Sequence, residues 1–222
     1  MSTENNRFNY AVISSVCLAF FCLIMFLYLL IKYQIYKSFE IDNYFIDFSS
    51  KIRSEGLTNF FKMVTHFGSI LTIAILSFVL FLLSRNKVVK IFSIVNVGFV
   101  SVFCLIVKHL VHRPRPEGIA LIEETGFSFP SAHTMGSVVF YGFLIFLILR
   151  FVKIKSLKIL LSIILFVVPM LIGYTRVYLG VHFVTDVMAG ILAGIVYLVV
   201  AIAVFIKLEN KLKNKGEIYE KK

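Results

Sequence analysis

Three stretches of the 222-residue chain carry side chains suited to gripping and transferring an oxyanion. The first is Lys108-His109-Leu110-Val111-His112-Arg113-Pro114-Arg115-Pro116, the second is Phe129-Pro130-Ser131-Ala132-His133, and the third runs from Thr175-Arg176 to His182 and Asp186. Lys108, Arg115 and Arg176 are lasting cations, and a guanidinium fork matches two phosphate oxygens at once. Pro130 suits the first position of a helix, so the amides of Ser131, Ala132 and His133 are expected unpaired in a first turn. Such a helix N-terminus attracts anions, and Ser131 adds a hydroxyl. His182 and Asp186 stand four positions apart, a spacing that stacks them on one face of a helix. The carboxylate then fixes the imidazole tautomer and leaves the other ring nitrogen as nucleophile or base. At the anion site a bound phosphate favours protonated His133, so one imidazole can attack while the other protonates the leaving oxygen. These types and spacings predict covalent phosphoryl transfer.

The elements that must position them are those of a membrane protein. Hydrophobic residues make up 59% of the chain and charged ones 16%, with a mean hydropathy of +0.91. A soluble domain carries about 25% charge, so a water-soluble globule is excluded. Disorder is excluded too, since disordered chains lack aromatic residues and this one has 24 Phe and 10 Tyr. Six stretches are free of Asp, Glu, Lys and Arg: Phe8–Ile31, Met63–Ser84, Ile91–Val107, Thr125–Leu149, Ile159–Thr175 and Val187–Ile206. About 20 apolar residues cross the hydrocarbon core. The two 17-residue runs are extended by flanking residues, and the fourth helix is expected to begin near Pro130. The expected fold is all-α, an integral membrane bundle of six transmembrane helices forming a single domain over residues 1–222, with a motif-bearing core at 108–186 and a basic tail at 207–222. No small-residue cleavage site follows the first span, so it reads as a retained helix.

Lys and Arg set the orientation. One side of a six-span layout holds 14 of them, including Arg7 and six lysines of the tail, and the other side holds 9. Both termini are therefore expected in the cytoplasm, and connections 32–62, 108–129 and 176–186 face outward. In the first, Ile41, Phe45, Phe48 and Ile52 fall on one helical face, as in an amphipathic helix of the membrane interface. The net charge of +11 sits at span ends and in the tail, which suits anionic lipid headgroups and not a nucleic-acid partner. Cys17, Cys22 and Cys104 lie inside apolar runs and read as packing residues.

Lys-x6-Arg-Pro at Lys108…Arg115-Pro116, Pro-Ser-Ala-His at Pro130–His133, and Thr-Arg-x5-His-x3-Asp at Thr175…Asp186 resemble the three signature motifs of the type-2 phosphatidic acid phosphatases. These are integral-membrane lipid phosphate phosphatases, related to vanadium-dependent haloperoxidases. The usual second motif has Gly where Ala132 stands, and the usual third begins with Ser where Thr175 stands. The resemblance implies that His182 is a nucleophile that becomes a phosphohistidine, that Asp186 orients it, and that His133 is the general acid and then the base that activates water. It implies that Lys108, Arg115, Ser131, the Ala132 amide and Arg176 hold the phosphoryl oxygens, with no metal or other cofactor. The substrate it implies is a lipid phosphate such as undecaprenyl diphosphate, phosphatidylglycerol phosphate or phosphatidic acid, in the membrane of a bacterium.

Other residues read more plainly. His109, His112 and His66 are expected as interface residues, Arg113 as auxiliary because it is out of register with Lys108, and Glu117, Glu123 and Glu124 as solvated loop charges. Gly190 and Gly194, with Ala189 and Ala193, form a stripe that lets helices approach. Two other functions compete: transfer of the phosphoryl group to an acceptor other than water, and anion transport with Arg113, Arg115 and Arg176 as a filter. Transport is disfavoured because no span carries an ionisable residue at mid-depth.

Overall fold

The computed structural model describes residues 2–216, 218 and 219, with side chains from Tyr10 onward except Ala11. The Arg7 side chain, Lys221 and Lys222, used above to set sidedness, lie outside the described residues. The helices run in the order α1 (Ser2–Tyr36), α2 (Glu40–Lys51), α3 (Glu55–Thr65), a 3-10 turn (His66–Gly68), α4 (Ile70–Leu83), α5 (Lys87–Val111), α6 (Ala132–Phe151), α7 (Lys155–Tyr178) and α8 (Val184–Asn214). Five of them, α1, α5, α6, α7 and α8, are each long and apolar enough to span a bilayer. α3 and α4, bent by 48° across the turn between them, are together long and apolar enough for a sixth.

That bend departs from the continuous helix expected over Met63–Ser84. α4 alone has 14 residues, a rise of about 21 Å, too short for a hydrocarbon core of about 30 Å. Backbone groups freed by the break still need partners, because lipid offers none. The Ser69 hydroxyl accepts from the Thr72 amide at 3.2 Å, and the Tyr141 hydroxyl donates to the Phe67 carbonyl at 3.0 Å. A Cβ on Gly68 would lie 2.4 Å from Ile172, so a side chain there would push the turn off α7.

Two further boundaries differ from expectation. Pro130 lies outside α6, and Ser131 is the cap that accepts from the Thr134 amide at 3.4 Å. The basic tail begins as helix: α8 continues through Lys207, Lys211 and Lys213 to Asn214. There Glu209, 1% exposed, is an ion-pair partner of Arg150 and Lys213.

The amphipathic helix of the first connection is α2. It exposes Ile41, Tyr44 and Phe48 and buries Asp42 and Ser49. Glu40, Asn43 and Asp47 are exposed beside those apolar residues, the mixture that suits a membrane interface.

α6 is the centre of the bundle, buried from Thr134 through Tyr141 and packed against α5, α7 and α8. One apolar cluster joins Phe26, Val100, Cys104, Met135, Val139 and Ala193, and a second joins Val88, Phe92, Phe143 and Phe205. The glycine stripe brings α8 close to α6. A Cβ on Gly190 would come within 2.7 Å of the Ser131 carbonyl, and one on Gly194 within 2.9 Å of Val138. Gly190→Val is therefore expected to lower the thermal unfolding temperature of the detergent-purified protein, since overpacking costs about 1–3 kcal/mol. An unchanged melting curve would show that α6 and α8 do not meet this closely.

Candidate active site

All three motifs converge at one end of the bundle, and the reason starts with backbone. The Ser131 amide, at the mouth of α6, donates to the Asp186 carbonyl in the first turn of α8 at 3.0 Å. Ser128 donates its amide to the Arg113 carbonyl at 2.8 Å and its hydroxyl to the Pro114 carbonyl at 2.9 Å, tying the two ends of the loop 112–131 together. The amides of Val181 and His182 both donate to the Arg176 carbonyl at 3.2 Å, folding the segment after α7 back on itself. Gly180 allows that turn: its φ is +71°, and a Cβ there would meet the Ile119 carbonyl at 2.4 Å.

His182 does not lie on a helix, contrary to the reading of its spacing. α8 begins at Val184, and Asp186 in its first turn accepts from the Phe183 amide at 2.9 Å. The same carboxylate oxygen, Oδ2, reaches back to His182 Nδ1 at 3.4 Å. On the other side of the ring, Arg115 Nη1 lies 3.3 Å from Nε2. A guanidinium can only donate, so Nε2 accepts and the proton sits on Nδ1, facing Asp186. The unshared pair of Nε2 therefore points toward the arginine cluster. His182 is 1% exposed. Burial first, then the charges of Arg176, Arg115 and Lys108, push its imidazole well below the ordinary range, so the ring is neutral at neutral pH.

The cations gather around it. Lys108, in the last turn of α5, donates to the Phe127 carbonyl at 2.7 Å. Arg115 donates to the carbonyls of Gly126, Val181 and Thr125 at 3.1, 2.7 and 3.0 Å. Arg176, 1% exposed, donates to the Thr65 hydroxyl at 2.9 Å, and its Nε has no partner among the described residues. His133, in the first turn of α6, lies in the field of Arg176, Glu124, His182 and Lys108. The amides of Ala132 and His133 have no partner among the described residues, as expected for a first helical turn. The Ser131 amide is not among them, because Asp186 takes it. Thr175 also turns away: its hydroxyl donates to the Ile172 carbonyl at 2.7 Å within α7.

Glu124 is the main surprise among the acidic residues. It is an ion-pair partner of Arg176 and sits 3.5 Å from Arg115 Nη2, with its side chain 25% exposed. Burial pushes its carboxyl up, but the ion pair with Arg176, aided by His133 and Arg115, outweighs that and holds it below the usual carboxylate range. It is thus no solvated loop charge; its carboxylate lies between two guanidinium groups, where an anion would bind. Glu117 and Glu123 are exposed as read, and so are His66, His109 and His112.

Arg113 also differs from its auxiliary reading. It is 2% exposed, bonded to Asp186 at 2.7 Å and to Asp42 at 2.5 Å, and enclosed by the rings of Tyr33, Phe39 and Phe183. Asp42 and Thr65 were not legible at all. Asp42 falls in the first connection, read as interface, and Thr65 in the second apolar run, and no spacing links them to the motifs.

Chemically, the arrangement offers an imidazole nitrogen whose pair accepts from Arg115, a second imidazole, three cations and two amides without partners among the described residues at one end of the bundle. The sequence pattern of the PAP2 superfamily matches residues 87–209. Phosphatidylglycerophosphatase B of Bacillus subtilis (strain 168) is 38% identical over 81 residues, which is 36% of this chain and 40% of that protein's length. Two solved structures are similar over more of the chain. The crystal structure of the first transmembrane PAP2-type phosphatidylglycerolphosphate phosphatase from Bacillus subtilis superposes with a TM-score of 0.75 at 25% identity, covering 85% of this chain and 96% of that one. That of Aquifex aeolicus LpxE superposes with a TM-score of 0.63 at 26% identity, covering 75% of this chain and 97% of that one.

An oxyanion entering the arginine cluster must displace the Glu124 carboxylate. Glu124→Gln removes that competing charge and is expected to tighten binding of inorganic phosphate by about tenfold, or about 1.4 kcal/mol. Titration calorimetry on the purified protein reads it; unchanged or weaker affinity would place the anion elsewhere.

Proposed function

We propose that this chain, which belongs to the PAP2 superfamily, is an integral membrane lipid phosphatase that works through a phosphohistidine. The observation that carries the proposal is the pair of contacts on His182: Asp186 on Nδ1 and Arg115 at Nε2. They leave a neutral imidazole with its unshared pair directed at a cluster of cations. The proposed site opens at the outer face of the membrane with both termini in the cytoplasm. The 14-to-9 division of Lys and Arg supports that orientation. The whole chain is taken as one catalytic domain, with the basic tail from residue 207 at the opposite, cytoplasmic end.

In the proposed reaction, His182 Nε2 attacks phosphorus and forms a P–N bond. The P–O bond to the leaving group breaks, and His133 gives that oxygen a proton. Water then attacks the phosphohistidine while His133 takes a proton from it, the P–N bond breaks, and inorganic phosphate leaves with His182 restored. Lys108, Arg115, Arg176, Ser131 and the Ala132 amide hold the phosphoryl oxygens and offset charge that builds on them. These cations supply the charge that a metal ion brings to other phosphoryl transfers, so the reaction is proposed to need none.

Among candidate substrates we favour a phosphomonoester of the phosphatidylglycerol phosphate type, the substrate for which the Bacillus subtilis relatives are named. An apolar cavity of about 370 Å³ supports a lipid. It lies between α1, α5, α6 and α8, lined by Phe26, Phe103, Met135 and Tyr197 among others.

Phosphate release from phosphatidylglycerol phosphate, phosphatidic acid and undecaprenyl diphosphate by detergent-purified protein tests the proposal. Activity is expected to persist in EDTA and to vanish in His182→Ala, with about 10⁴-fold or greater loss. Strict magnesium dependence, or an active His182→Ala, would overturn it. Release of free phosphate without an added acceptor separates hydrolysis from transfer.

The pH dependence follows from the lowered His182 pKa. A group shifted down loses its proton at lower pH than a free imidazole, so the nucleophile is available from below about pH 6.5 upward. The acid limb of kcat/KM assigned to His182 is expected below that value. A limb of His182 above that value would mean that its pKa is not lowered by burial beside Arg176, Arg115 and Lys108.

A further inference from the structure

Asp42 is a buried carboxylate for which the proposed reaction has no use. It sits on α2, 2% exposed. Its Oδ1 accepts from the Thr185 amide at 3.0 Å and the Thr185 hydroxyl at 2.9 Å, and its Oδ2 accepts from Arg113 Nη2 at 2.5 Å. The other terminal nitrogen of Arg113, Nη1, donates to Asp186 Oδ1 at 2.7 Å and to the Thr185 hydroxyl at 2.7 Å. Asp186 Oδ2 faces His182 Nδ1. Four side chains from four segments thus run in series, carboxylate to guanidinium to carboxylate to imidazole.

Two features argue that this chain does more than hold helices together. Arg113 grips one oxygen of Asp186 while the Phe183 amide and His182 share the other, so the carboxylate cannot rotate away from the imidazole. Arg113 itself cannot swing toward a substrate, because its guanidinium carbon lies 4.7, 5.5 and 4.2 Å from the ring centres of Tyr33, Phe39 and Phe183. Cation–π contacts of this kind hold a desolvated guanidinium in place. With one carboxylate on each side, Arg113 is neutralised, and the pair still leaves Asp186 able to accept from Nδ1.

We propose that Asp42 is a positioning residue for phosphoryl transfer, acting through Arg113 to fix the Asp186 carboxylate and with it the free nitrogen of His182. The inference rests on the reading of His182 as nucleophile. It also gives α2 a role: the helix that lies in the membrane interface is wired to the reacting imidazole.

A strut and a positioning relay differ in how they move a pH profile. The charged and titratable groups facing His182 are Arg115 from the loop, Lys108 from α5, Arg176 from α7, His133 from α6 and Asp186 from α8. Those facing Asp42 and Asp186 are Arg113, Tyr33, Lys108 and Arg115. Asp42→Asn removes one negative charge from this set, which disfavours the protonated imidazole and moves the acid limb of kcat/KM to lower pH. Arg113→Gln removes one positive charge and moves the limb to higher pH. Ionisation of the substrate phosphate is the same in all three proteins, so it cancels from the comparison.

The experiment measures kcat, KM, the pH profile and thermal unfolding of full-length protein in detergent, with phosphatidic acid in mixed micelles as probe. Asp42→Asn is expected to lower kcat by about 10- to 100-fold, the range found when a residue that orients a reactive group is lost, with KM little changed. The limbs of Asp42→Asn and Arg113→Gln are expected to shift in opposite directions, and Asp42→Glu is expected to restore the wild-type limb. Either shifted variant alone tests the proposal if the other does not fold. Falls in kcat and melting temperature with unmoved limbs would make the chain a strut and overturn it, as would recovery of both variants only as unfolded protein. Wild-type kcat in Asp42→Asn beside an inactive His182→Ala overturns the positioning role alone, whereas an active His182→Ala overturns the nucleophile reading beneath it.

Discussion

A guanidinium removed from water is tolerated only against carboxylates and other acceptors, and two of them, Arg113 and Arg176, lie 2% and 1% exposed at the rim of this bundle. The convergence of distant segments follows from that need. Arg113 draws Asp42 from α2 and Asp186 from α8. Arg176 draws Glu124 from the long loop and the Thr65 hydroxyl from the end of α3. The break between α3 and α4 belongs to the same logic, since it ends α3 at the residue that meets Arg176. Removing one partner of a buried pair costs about 3–5 kcal/mol, so each acceptor holds its segment to the rim.

The two arginines are not balanced alike, and the difference separates structure from chemistry. Arg113 faces two carboxylates and is fully countered. Lys108, Arg115 and Arg176 are three cations against Glu124, on a side chain 25% exposed and carried by a loop, and Asp186, which also acts on Lys108 and Arg115 but is already bonded to Arg113. Positive charge is therefore in excess at one place, beside the open end of α6 with its free amides. A phosphate dianion answers that excess better than one carboxylate does. Burial first, and then the same cations that favour an anion, keep His182 neutral.

Much of this was legible in the chain. The apolar runs located every spanning element, because the bilayer leaves few ways to satisfy a backbone. The three motifs marked segments that the fold brings together at one end of the bundle, because their residue types have few other uses at a membrane edge. What was not legible depended on partners far away in sequence. Asp42 and Thr65 look like ordinary polar residues until Arg113 and Arg176 are seen to need acceptors. Glu124 looked solvated because a loop residue is exposed by default, and only the fold brings two arginines to it. The spacing of His182 and Asp186 led to the right contact for the wrong reason: a first-turn carboxylate reaching back to the turn before it, and not two residues stacked along a helix.

The departures of Ala132 and Thr175 from the family pattern can be weighed in the same terms. The hydroxyl of Thr175 is satisfied inside α7, three residues back along its own helix, so the position serves the helix and its extra methyl does not reach the anion. Ala132 opens α6 at a helical position, which alanine adopts without strain and which it stabilises relative to glycine by restricting the unfolded chain. What that position offers an anion is its amide, and alanine keeps it. The methyl group packs against the apolar cluster that holds Phe26, Phe129 and Met135, so alanine in place of glycine adds a contact with the core and leaves the amide as it is, at a helix start where Gly190 already brings α8 against the Ser131 carbonyl.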